Sequence, residues 1–105
     1  MRFLLVLVLL ASCSSLAEDP ATGDASARLA CRDFYGIARD ADLVTNAELR
    51  GRVQDMYDSH ASVSETPGIA EAARAMLATL TSGDVGAFGD AVSDMDAACG
   101  PIEPL

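Results

Sequence analysis

From Asp24 onward, apolar residues recur at three- and four-residue intervals in four stretches, each with its own start or stop signal, and the spacing is that of amphipathic helices. The first is predicted over Ala25 to Asp42 after an Asp24 cap, with Ala27, Cys31, Phe34, Ala38 and Ala41 on one face and Ile37 beside them. The second opens on Thr45-Asn46-Ala47-Glu48, a capping box, and carries Leu49, Val53, Met56, Tyr57 and His60 on its stripe. The third is expected to start at Thr66-Pro67, a cap followed by proline at the first helical position. It buries Ile69, Ala73, Met76, Leu77 and Leu80 before Gly83 stops it. The fourth follows an Asp84 cap with Val85, Phe88, Val92, Met95 and Cys99, and ends at Gly100-Pro101. No stretch alternates as a strand does. The fold class expected is all-α, a small up-down-up-down bundle of four helices, because short connections favour that topology.

The first seventeen residues follow a different rule. Met1-Arg2 gives one positive charge and Phe3 to Leu10 an apolar run, far short of the roughly 20 residues that span a bilayer. A short run behind a basic start reads as an export signal. Residues 14–23, SSLAEDPATG, are small, acidic and Pro/Gly-containing, which predicts a flexible tether with a reach of about 18 Å. The expected organisation is a signal over residues 1–12, a cysteine and tether over 13–23, and a helical domain over 24–105.

Export changes the reading of the cysteines. Cys31 and Cys99 are expected in an oxidising compartment, where a disulfide persists. Closing that loop contributes about 4 kcal/mol of stability, comparable with the whole stability of many small domains. The alternative is two reduced, buried thiols acting as small hydrophobes. In an up-down-up-down bundle, the start of the first helix and the end of the fourth fall at one end, where these two cysteines lie. The topology, inferred from periodicity, and the disulfide, inferred from compartment, therefore agree.

Charge narrows the function classes. The chain holds 7 basic and 16 acidic residues, a formal charge of −9, which becomes −10 if Arg2 is removed with the signal. Nucleic-acid binding is disfavoured, since it rests on cations that neutralise phosphates. His60 is the single histidine and sits on an apolar stripe near a helix end, which points to a structural role. Asp90, Asp94 and Asp96 lack the turn glycine and terminal glutamate of a calcium loop. Gly83, Gly86 and Gly89 recur every three residues, but no strand precedes them and no Lys-Ser/Thr follows, so a phosphate loop is not expected. Gly86 and Gly89 either permit close helix packing or weaken their helix. No hydrolase, metalloprotease or dithiol motif occurs, and no catalytic residue, metal site or cofactor is assigned.

Leu10-Ala11-Ser12-Cys13 resembles the lipobox of bacterial lipoproteins: a branched aliphatic, two small residues, then cysteine. The resemblance covers residues 1–13. It implies that the Cys13 thiol carries a diacylglyceryl group, that the signal is cut before Cys13, and that the chain is anchored to the outer face of the cytoplasmic membrane. Two acyl chains matter, because one gives only marginal membrane binding. Simple secretion, with cleavage after Ser15-Leu16-Ala17, is the alternative.

The stretch ACRDFYGIARDADLVTNAELRGRVQDMYDSHASVSETPGIAEAARAML, residues 30–77, is similar to small helical lipoproteins of unknown function from high-G+C Gram-positive bacteria and their phages. The shared texture is Ala30-Cys31-Arg32 with an aromatic following, Asn46 to Arg50, and Thr66 to Ala73 ahead of a late cysteine. That group supplies no catalytic residue. The function expected is a membrane-anchored, non-catalytic lipoprotein whose partners are the bilayer, through acylated Cys13, and an unidentified protein. Phage-encoded superinfection exclusion is one form of it, by analogy of design alone. The alternative is an envelope protein that captures or inhibits a cationic protein or peptide.

Overall fold

A computed structural model describes residues 23–104, and within them the chain is helical throughout, with no strand. Helix α1 spans Ala25–Asp40, α2 Asn46–Ser59, α3 Ile69–Ser82 and α4 Val85–Cys99. Single 3₁₀ turns, Ala41–Leu43 and Ala61–Val63, follow α1 and α2. Cys31 and Cys99 form a disulfide with their Cα atoms 5.7 Å apart, which joins α1 to the last residue of α4.

Three helix starts are set by local side-chain chemistry that satisfies otherwise unpaired backbone N–H groups. Asp24 accepts from the Ala27 N–H at 2.8 Å and Asp84 from the Ala87 N–H at 3.0 Å. At α2 the capping box is complete: the Glu48 N–H donates to Thr45 Oγ1 at 3.1 Å, and the Thr45 N–H donates to Glu48 Oε1 at 2.8 Å. Gly83 ends α3 in the left-handed conformation, with φ of 80°.

The start of α3 departs from expectation. Thr66 does not cap it, because its hydroxyl is turned to Asp24, and Thr66-Pro67 form a turn ahead of the helix. Gly68 takes the cap position with φ of 89°, a conformation that costs a residue with a side chain about 1 kcal/mol or more. A Cβ there would also lie 3.3 Å from the Ala98 methyl. The glycine therefore lets the α2–α3 connection pass close against α4.

The core fills the space around the disulfide. Met56, Ile69, Met76, Met95 and Val53 are its largest fully buried side chains, and Ala27, Ala30, Ala61, Ala72, Ala73 and Ala91 let the helices approach closely. Methionine suits such a lattice of methyls, because its unbranched chain fills irregular gaps. The α3–α4 pair makes the most extensive contact, followed by α2–α3 and α1–α2, whereas α1 and α4 touch sparingly.

Two predicted core positions, Ala38 and Val85, are exposed, and several others, among them Tyr57, His60, Leu77, Leu80, Phe88 and Val92, are only half-buried. Ala38 is exposed because α1 ends at Asp40 and its stripe closes on Ile37, a larger side chain one residue earlier. Tyr57 and His60 are half-buried at the end of the α2 stripe, and Val85 is 83% exposed in the first turn of α4.

Gly86 and Gly89 are not packing contacts: a Cβ at Gly89 meets nothing within 4 Å, and one at Gly86 only an Asp84 carboxylate oxygen, at 3.8 Å. These glycines weaken α4 without a compensating close approach. Gly89→Ala is expected to stabilise the domain by about 0.5–1 kcal/mol, raising the midpoint of thermal unfolding by several degrees. An unchanged or lower midpoint would show that α4 needs the glycine there.

Candidate functional site

The two ends of the domain are built differently, although both expose an apolar side chain: Val63, next to Ser64, is 61% exposed at one, and Val85 is 83% exposed at the other. At one end, Gly23 brings the chain in from residues 13–22 and Asp24 fastens it. Asp24 Oδ1 accepts from the Ser64 hydroxyl at 2.8 Å and the Thr66 hydroxyl at 3.2 Å, in addition to capping α1. Asp24 Oδ2 accepts from the Glu65 N–H at 2.7 Å. The Asp24 N–H in turn donates to Thr66 Oγ1 at 3.1 Å, and the Thr66 N–H donates to Ser64 Oγ at 3.1 Å. One carboxylate thus ties the start of α1 to the α2–α3 connection. Burial opposes its ionisation, but the donors from Glu65, Ala27, Ser64 and Thr66 outweigh burial and hold its pKa below the usual carboxylate value.

The last residues close the same end. Ile102 is buried and approaches Gly23, and the Arg28 guanidinium donates to the Glu103 carbonyl at 2.9 Å.

At the other end, the start of α2, the end of α3 and the start of α4 surround a depression of about 250 Å³. Leu49, Leu80, Val85 and Phe88 supply its apolar walls, with Arg50 and Asp84 at polar positions. Leu43, in the connection leading into α2, is 81% exposed. A depression of similar volume between α1 and α2 is mixed in character, bordered by Arg32, Asp33, Arg52 and Asp55 together with Ile37 and Met56. Its charges are largely paired: Arg32 with Asp33 at 3.0 Å, Arg52 with Asp40 at 3.2 Å, and His60 Nε2 lies 3.5 Å from Asp33 Oδ2. Asp40 also accepts from Arg39, and these two arginines hold its pKa low.

The residues singled out by sequence fall as follows. Cys13 lies outside the described residues, as do the signal and most of the tether. Cys31 and Cys99 are joined and fully buried. His60 is half-buried beside Asp33, and its backbone N–H closes α2 on the Met56 carbonyl at 3.0 Å. Asp90, Asp94 and Asp96 are exposed along α4, and among the described residues no group of three or more His, Cys, Asp or Glu side chains is placed to hold a metal ion. No helix of the described residues is long and apolar enough to cross a membrane.

Sequence reading missed two features. Asp24 was legible as a cap, but its ties to residues about 40 positions away carry no local signal. The Val85 depression takes its walls from three separate helix ends, and the periodicity of α4 placed Val85 inside. Comparison with protein-family models, characterised proteins and solved structures finds no match for this chain.

Proposed function

We propose that the chain is a membrane-anchored, non-catalytic lipoprotein acting by protein–protein interaction at the outer face of the cytoplasmic membrane. Leu10-Ala11-Ser12-Cys13 after a short apolar run carries the reading. The four helices form an up-down-up-down bundle in this account. In its support, the start of α1 meets the α2–α3 connection, while the start of α2 meets the α3–α4 connection at the opposite end. Lipid on Cys13 and a tether with a reach of about 18 Å hold the Asp24 end near the bilayer and turn the Val85 end away from it.

Cys13→Ser tests the anchor. The wild-type protein should remain with membranes and enter the detergent phase, and the variant should be released; equal retention of the two would remove the anchor. Superinfection exclusion is a narrower version of the proposal. It predicts that deleting the gene raises the plating efficiency of related phages, and unchanged plating would dispose of it.

A second reading, capture of a cationic protein or peptide, is favoured by the distribution of charge. Residues 75–104 contain five acidic side chains and no basic one. Such a surface steers cations over long range.

A further inference from the structure

We propose that the surface around the Val85 depression is self-complementary, and that its occupant is the same surface of a second copy of this chain. About a two-fold axis, Val85 of each copy enters the depression of the other, and Arg50 of each meets Asp84 of the other. The inference concerns the helical domain and holds whether or not Cys13 carries lipid.

Shape is the first observation. The patch carries both an exposed apolar side chain and a place to put one: Val85 is 83% exposed and stands beside a depression of about 250 Å³ walled by Leu49, Leu80 and Phe88. That volume lies below the usual range for small-molecule pockets, about 300–1,000 Å³, and suits one or two side chains. A single exposed valine is ordinary on a protein surface, but one that borders a depression with three further apolar residues forms a patch, and Leu43 is bare in the connection just before α2.

Charge is the second observation, and it selects the occupant. Arg50 and Asp84 both border the depression. Among the described residues the ion pairs involve only Arg32, Asp33, Arg39, Asp40, Arg52 and His60, so neither Arg50 nor Asp84 has an ionic partner. Asp84 spends one carboxylate oxygen on the α4 cap, and no described residue donates to the other. A segment of either net sign would be drawn to one of these two groups and repelled by the other. A second copy brings one of each, and two-fold rotation sets opposite charges together twice. The patch is small and the chain's net charge of −9 opposes close approach, so the dimer is weak and depends on concentration.

The test uses two versions of the full chain with different C-terminal tags, produced in the same cells and isolated in mild detergent, with one tag used to recover the other. Wild-type chains should co-isolate. Val85→Arg on both chains should cut recovery about tenfold, because it places a charge at the centre of a small contact. Val85 is exposed, so the variant folds normally, which circular dichroism checks. The variant also keeps Cys13, so whatever an acyl group contributes is common to both pairs, and failure of the anchor is read separately from failure of self-association.

Charge reversal tests the two-fold arrangement itself. Arg50→Glu paired with Arg50→Glu, and Asp84→Lys paired with Asp84→Lys, should each lose recovery, since like charges then face each other. Arg50→Glu paired with Asp84→Lys should restore it, because opposite charges meet again at both contacts; damage to the fold of either variant would not be repaired by mixing. Equal recovery of wild type and Val85→Arg, no recovery of wild type above background, or no restoration in the mixed pair would each overturn the proposal.

Discussion

Replacing Cys31 and Cys99 together with alanine is expected to lower the stability of the domain by about 4 kcal/mol. Two features make the loss large. The bridge closes a loop running over most of the folded chain, from residue 31 to residue 99, and the entropy removed from the unfolded chain grows with loop length. It also joins α1 and α4, which touch sparingly while helices adjacent in the chain pack extensively. A domain of this size has roughly 4–12 kcal/mol of stability in total. The double variant should therefore unfold at a much lower urea midpoint, by circular dichroism, and lose on the order of 20 °C in thermal midpoint. A loss under about 1 kcal/mol would mean that helix packing alone closes the bundle.

Asp24→Ala is expected to cost about 2 kcal/mol, the upper end for an N-cap, because the same carboxylate also receives the Ser64, Thr66 and Glu65 donors. Its pH dependence follows from linkage. The folded-state pKa of Asp24 is depressed below its unfolded value, so its contribution is fully present above about pH 4 and is lost as pH falls through the folded-state value. Wild-type stability should therefore drop on acidification below about pH 4, and Asp24→Asn, which cannot protonate, should drop less. Some acid sensitivity should remain in the variant, because Asp40 is also held low by Arg39 and Arg52. Parallel stability curves for the two proteins between about pH 5 and pH 2 would show that the Asp24 bonds contribute nothing that depends on its charge.

What could be read from the sequence was what is local. The Thr45–Glu48 capping box, the Asp24 and Asp84 caps and the Gly83 stop involve residues within four positions of one another, and all are present. The disulfide was legible for a different reason: if the chain is exported and Cys13 carries lipid, two cysteines remain, and both fall on apolar stripes. Thr66-Pro67 has the composition of a helix start, yet a partner 42 residues away claims the Thr66 hydroxyl. The helix then begins at Ile69.

Val85 and Ala38 failed in a related way. Periodicity states which face of a helix is apolar, but at the first and last turn the neighbouring helices need not extend far enough to cover it. The depression beside Val85 went unseen in the sequence for the same reason. An uncovered turn is visible only after the ends of α2, α3 and α4 are brought together.

The proposed anchor depends most on Cys13, and intact-mass measurement of the protein isolated from the cells that make it addresses that residue directly. The predicted result is a chain spanning residues 13–105 that carries a diacylglyceryl group on its first residue. A chain that begins at Glu18 and bears no fatty acid would contradict it, and would leave the helical domain without a reason to act at the bilayer.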